Sequence, residues 1–269
     1  SCSARTMLDY PVRSFLQFME NHKLLNFIDR PQWRTVKGGS REYVNRLIDT
    51  LGGMDGDRVH LNTNITGIRR DQGGVFLSIE GQGDVWFDKV VMAAHADQSL
   101  AMITDATVLE RDILSSFQFQ PNRAVLHSDP SLMPKRRAAW GSWNYIGSHE
   151  GEESLCLTYW MNKLQSIDNA YPLFETLNPH REPNPALVHG NYSYDHPMFD
   201  ERAVKGQQRL PMIQGTGDLF FAGAWTGHGF HEDGLKSAIA VARTLGVEIP
   251  WQTSVDPYPL LPADDREIA

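Results

Sequence analysis

Residues Leu219–Ala242, LFFAGAWTGHGFHEDGLKSAIAVA, constrain the fold more than any other stretch. Leu219–Ala222 is apolar without alternation, the pattern of a strand buried on both faces. Gly223, Gly227, Gly229 and Gly234 follow, residues that let a backbone approach another group closely. Glu232 and Asp233 sit where N-cap and first-turn acids belong. Leu235, Ala238, Ile239, Ala242 and Leu245 then predict one apolar helix face, and Gly246 is placed to stop the helix. A strand that feeds a helix through glycines presents free N–H groups to electron-rich oxygens.

The remainder reads as alternating helices and short strands. Met7, Val12, Phe15, Leu16, Phe18 and Met19 recur at helical spacing near the start. A loop from Pro31 through Trp33 to Ser40 leads into a helix with Ser40 as N-cap. Its apolar face is Tyr43, Val44, Leu47, Ile48 and Leu51, and Gly52-Gly53 ends it. Strands are expected over Val59–Ile68, Val75–Glu80 and Val85–Ala94, with turns at Gln72-Gly73-Gly74 and Gly81–Asp84. A helix over Gln98–Ser115 is broken near Asp105–Thr107. Short β segments at Ala124–His127, Ala138–Tyr145 and Leu155–Trp160 predict an antiparallel sheet. Asn178–Asp200 reads as irregular, with Asn191–Pro197 as a Pro-bounded loop, and Pro250 onward as a Pro- and acid-rich tail.

The 269 residues are 41% hydrophobic, enough for a real core. The net charge of −8 argues against nucleic acid or an anionic membrane surface as partner. No apolar run approaches the roughly 18 residues a membrane span needs. Cys2 and Cys156 are too few for a disulfide framework, which sets the expectation of a cytoplasmic protein without a leader peptide.

The segment FFAGAWTGHGFHEDGLKSA closely resembles the C-terminal cofactor segment of the flavin-containing amine oxidoreductase superfamily, and a bacterial branch of predicted NAD/FAD-binding proteins within it. The resemblance implies FAD as cofactor. It aligns Gly38, Gly39 and Ser40 with a loop near the isoalloxazine, and Ile65 with a strand whose backbone meets the adenine. It aligns Ala94 with the strand end beside the dinucleotide, and Gly223, Ala224, Phe230, Glu232, Asp233 and Gly234 with the loop and helix near the flavin C2 carbonyl. Two departures stand out. Ala224 replaces an acid, and Phe230 replaces a Tyr that walls the aromatic cage of amine oxidases.

A strand–GxGxxG–helix unit for the pyrophosphate is missing from the sequence. The expectation is therefore a C-terminal portion of a longer flavoprotein, inactive by itself, whose partner is the N-terminal part of the same protein. His231 and His228 are candidates to handle a proton near the flavin; their spacing lacks the companions of a metal site, and none is expected. Trp143, Tyr145, Tyr159, Trp225 and Phe230 are candidates for a substrate pocket.

The fold expectation is mixed α/β (α+β): a partial FAD-binding Rossmann-like domain interleaved with an antiparallel-sheet substrate domain. Residues 1–35 form a helical part of the substrate region and 36–97 the middle FAD segment. Residues 98–211 form the substrate domain, 212–248 the C-terminal FAD segment and 249–269 a tail. The expected activity is hydride removal from an apolar or lipid-like substrate, a fatty-acyl chain in particular. An amine oxidase and a non-catalytic binding module are the alternatives.

Overall fold

A computed structural model of the chain describes residues 11–21, 23–26, 28, 34–54, 56–146, 156–249 and 251. The features expected at Cys2, Met7, Pro31–Trp33 and the tail (250 and 252–269) lie outside these residues. In chain order the helices are α1 (Val12–Asn21), α2 (Arg41–Thr50), α3 (Ala96–Met102), α4 (Val108–Leu114), α5 (Met161–Gln165), α6 (Glu201–Arg209) and α7 (His231–Thr244). The strands are β1 (Ile65–Asp71), β2 (Gly74–Ile79), β3 (Gly83–Phe87), β4 (Val90–Met92), β5 (Phe119–His127), β6 (Trp143–Ile146), β7 (Cys156–Trp160), β8 (Phe174–Leu177), β9 (Val188–Pro197) and β10 (Leu219–Phe221). Mixed helix and strand with antiparallel sheets is the expected class. Among the described residues no helix is long and apolar enough to cross a membrane.

The chain divides into two compact units, residues 1–62 with 119–198 and residues 63–118 with 199–269. In the second unit β1, β2 and β3 form an antiparallel meander. The turn between Asp71 and Gly74 carries Gly73 at φ 80°, a left-handed position that glycine takes without strain. β1 starts at Ile65, six residues later than the sequence suggested, after a left-handed Asn62 (φ 53°). The expected strand Val85–Ala94 is two strands: β3 stays with the meander, and β4 pairs in parallel with β10. The helix expected over Gln98–Ser115 is broken where anticipated. Thr107 Oγ1 accepts the Glu110 N–H at 3.2 Å, and Glu110 Oε2 accepts the Thr107 N–H at 2.7 Å, so α4 starts from its own capping box. Glu110 is fully buried and pairs with Arg70, which also binds Asp105 at 2.9 Å.

β10 is buried throughout, as its unbroken apolar run predicts. Its outer edge is covered by a side chain. Gln214 Nε2 donates to the Phe221 carbonyl at 2.7 Å, and Gln214 Oε1 accepts the Phe221 N–H at 2.8 Å. α7 ends at Gly246 (φ 78°), where Val247 N–H bonds to Ala242 O and Gly246 N–H to Arg243 O, a Schellman closure. The packed face of α7 differs from the expected one. Val241 joins Phe220 and Ala222 in the core and Ile239 is buried, whereas Leu235 and Leu245 are exposed. Gly234 and Ser237, too small to register in a hydrophobic pattern, are half-buried on this helix instead.

The first unit is built on an antiparallel sheet in the order β6-β7-β8-β5-β9. β6 begins only at Trp143, because Arg137–Ala139 forms a 3-10 turn. The largest correction is at Asn178–Asp200, expected to be irregular. Val188–Pro197 is a ten-residue edge strand that follows β5 from His127 to Phe119. Tyr192 and Tyr194 favour a pleated backbone, and exposure on both faces hides the period-2 signal that marks buried strands. Helix α2 forms as expected, with Gly52 and Gly53 closing it, but none of its residues is buried, and the Ser40 side chain makes no capping bond.

Candidate cofactor segment and substrate face

The loop from Gly223 to Phe230 in the second unit is held by bonds to much of its backbone. Gly223 adopts φ 155°, ψ 162°, and a Cβ there would lie 2.6 Å from the Trp225 indole nitrogen, so no other residue fits. Its N–H donates to Ser237 Oγ at 2.9 Å, and Ser237 Oγ donates to the Gly234 carbonyl at 2.7 Å. Gln207 Nε2 donates to the carbonyls of Trp225 and Gly227, at 3.0 and 2.6 Å. Asp233 Oδ2 accepts the Phe230 N–H at 3.1 Å, fastening the loop to the first turn of α7. A Cβ at Gly227 would meet that same carboxyl group at 2.7 Å. Asp233 therefore caps from the third helical position, and α7 opens at His231, ahead of where the acids suggested.

One glycine has no such local explanation. Gly234 has ordinary helical geometry, and a Cβ there would meet only the Ala224 nitrogen, at 3.7 Å. Alanine would fit and favour the helix by about 1 kcal/mol. The Ala224 N–H has no acceptor among the described residues. An unused donor, a helix N-terminus carrying about half a positive elementary charge and a helix surface bare of a Cβ at Gly234 therefore coincide. This donor set suits an electron-rich carbonyl oxygen, and the residues present fit a flavin edge.

The other expected residues fall as follows. In the second unit, Ile65 begins β1 and pairs with Ile79 beside a bulge. The Ala94 carbonyl accepts the Trp225 indole N–H at 3.1 Å. Trp225 is only 3% exposed and packs edge-on to Phe117 at 4.5 Å, so its indole serves the core and not a pocket wall. Phe230 is 38% exposed, His228 half-buried, and His231 and Glu232 exposed. In the first unit, Gly38 and Gly39 both take left-handed conformations (φ 86° and 88°) ahead of Ser40 and α2. Among the described residues no three His, Cys, Asp or Glu side chains are grouped to hold a metal ion.

Trp143, Tyr145 and Tyr159 share one face of the five-stranded sheet. Trp143 lies opposite Tyr159, with ring centroids 6.0 Å apart and nearly perpendicular, and Trp143 and Tyr145 are more than half exposed. The opposite face is buried and carries a polar chain that sequence reasoning missed. Asp129 N–H donates to His127 Nδ1 at 3.1 Å, which leaves the proton on Nε2 for Thr176 Oγ1 at 2.7 Å. Thr176 Oγ1 is 2.9 Å from Thr158 Oγ1, which donates to the Leu132 carbonyl at 3.3 Å. Burial pushes the His127 pKa below its ordinary value of 6.5, the nearby Asp129 charge opposing the shift only partly. Burial also works against the Asp129 carboxylate, but N–H bonds from Asn184 and Ser131 outweigh it and hold its pKa down. The alternation of His127 and Val125 with residues of three other strands was the available signal, and it emerges only once those strands are in register.

Residues 3–124 match the family model of the flavin containing amine oxidoreductases, a family that uses FAD. No curated protein sequence matches the chain. Among solved structures, cyclohexylamine oxidase from Brevibacterium oxydans IH-35A is 15% identical, with a TM-score of 0.57 over 88% of this chain and 60% of that one. The CLA-producing fatty acid isomerase from P. acnes is 16% identical, with a TM-score of 0.56 over 78% of this chain and 52% of that one. A putrescine oxidase variant redesigned in its cofactor binding is 12% identical, with a TM-score of 0.52 over 78% and 53%. The chain thus spans between half and three-fifths of the length of the structures it resembles. The strand–glycine loop–helix segment, the aromatic sheet and the match over residues 3–124 agree: this chain has the fold of the flavin containing amine oxidoreductases.

Proposed function

We propose that the chain supplies the substrate-facing sheet and the C-terminal cofactor segment of a FAD-dependent oxidoreductase. The observation that carries this reading is Gly234, a helical glycine that nothing among the described residues requires, beside the unused Ala224 N–H. When bound, FAD accepts a hydride from a C–H bond; the protein orients and tunes it. Gly223, Ala224, Phe230, Glu232, Asp233 and Gly234 would hold its electron-rich edge, and Ile65 and Ala94 its nucleotide part. His228 on this loop and His231 at the start of α7 would move protons. The glycine loop lies in the unit of residues 63–118 and 199–269, and the aromatic sheet in the other.

The aromatic sheet face supports a substrate with an apolar body. The fatty acid isomerase and the cyclohexylamine oxidase of like fold are named for two such classes, a fatty acid and an amine. The test uses the full-length gene product. Bound flavin should be visible by its absorbance, and Gly234→Val should lower FAD per protein several-fold while the fold persists by circular dichroism. Equal occupancy in the variant would remove the assignment of this segment.

A further inference from the structure

The two borders of the first unit's sheet differ. β6 is four residues long, whereas β9, at ten residues, is the longest strand among the described residues. Edge strands are commonly kept from pairing by lysines, prolines, bulges or a covering group, such as Gln214 gives β10. β9 carries no lysine or arginine; its bulge, at His189, lies near one end and its proline, Pro197, at the other. Between them the edge is unguarded, and Asn191 through Asp195 are all exposed.

The bonding of β5 tells which backbone groups of β9 are free. The Arg123 N–H donates to Asn178 Oδ1 at 2.9 Å, and its carbonyl accepts the Asn178 N–H at 2.8 Å, both on the β8 side. Backbone groups alternate in direction along an antiparallel ladder. Asn122, Ala124 and Leu126 therefore turn theirs to Tyr194, Tyr192 and Gly190. Asn191, Ser193 and Asp195 are left with N–H and C=O pointing outward, and among the described residues no strand meets them.

This edge is complementary to itself. With a two-fold axis at Ser193, Ser193 meets its own equivalent in a second copy, and Asn191 of each chain faces Asp195 of the other. Arg123 Nη2 holds the Asn191 Oδ1 at 2.9 Å, so the amide keeps its nitrogen to donate to that carboxylate. On the other face Tyr192 comes opposite Tyr194. These rings already stack within the chain at 6.2 Å and are 49% and 48% exposed, so pairing takes apolar surface out of water. The order amide, hydroxyl, carboxylate matches itself only when reversed, which selects a second copy in antiparallel register over an unrelated strand.

We propose that β9 is the dimerisation edge of this chain: two copies pair through it, centred on Ser193, and their five-stranded sheets run on as one. Both chains use the same edge, so the assembly closes at two.

The test is light scattering on the purified chain, which should give twice the 30.4 kDa of one copy. Ser193→Pro removes the central outward N–H; an edge strand tolerates proline there, so the variant should keep its circular dichroism and become monomeric. Asn191→Asp keeps an acceptor for Arg123 but sets carboxylates face to face, and should weaken the dimer about tenfold. Adding Asp195→Asn to it reverses the pairing and should restore the affinity of the parent. The charge pair reads the register without altering the backbone. A monomeric or open-ended parent, a folded Ser193→Pro variant that stays dimeric, or a double variant no tighter than Asn191→Asp would each overturn the proposal.

Discussion

The glycine loop and the five-stranded sheet are ordered by different means. In the loop from Gly223 to Gly234, the backbone is fastened from close by in sequence, Ser237 lying 14 residues from Gly223 and Gln207 20 from Gly227, while the Trp225 indole alone reaches far, to Ala94 and Phe117. In the sheet, His127 reaches Thr176 across 49 residues, and Glu175 gains its surroundings from the two strands on either side of it. The loop's residues are dictated by backbone geometry. Those of the sheet are dictated by which face the pleat turns them to. A single substitution should therefore act steeply and locally in the loop, and through pairing and pH in the sheet.

The sharpest break of this contrast is Gly223→Ala. It sets a Cβ against the Trp225 indole at a positive φ, and should cost about 3 kcal/mol in denaturant unfolding. An effect below about 1 kcal/mol would mean that the loop can rearrange. The sheet should respond next, through Thr176→Val, which leaves the His127 Nε2 proton without its acceptor. A loss of about 1–3 kcal/mol is expected at neutral pH.

The parent protein tests the same histidine without mutation. His127 binds its proton more weakly folded than unfolded, so its contribution is fully present above pH 6.5 and is lost as the pH falls below that value. Unfolding midpoints measured from pH 7.5 to about 5 should therefore fall with acidity, and His127→Gln should flatten the slope. The smallest effect has the opposite sign. Gly234→Ala should stabilise the protein by about 0.5–1 kcal/mol and reduce flavin retention in the full-length protein, since its Cβ meets only an ordinary contact.

The same contrast explains what could be read from the sequence. The buried strand Leu219–Phe221, the turn at Gly73, the break before Val108 and the stop at Gly246 are local signals, and each is where expected. The buried face of α7 was misplaced because Gly234 and Ser237 stand where apolar residues were sought. β9 was missed because an edge strand exposed on both faces carries no hydrophobic alternation. Glu175 and the His127–Thr176–Thr158 chain were invisible for a stronger reason. Their neighbours lie on other strands, and a one-residue slip in any of them would turn each residue to the other face.

Gln214 has a consequence for growth of the parallel pair β4–β10. By donating to and accepting from Phe221, its amide occupies the bonds an additional strand would need at that end of β10. Extension of this sheet is thereby directed to the side of β4, whether the incoming strand belongs to the same polypeptide or to an aggregating copy. Together with the Gly215 N–H on the Leu219 carbonyl, this gives the sheet a polarity of assembly, and Gln214→Leu would uncover the Phe221 end of that border.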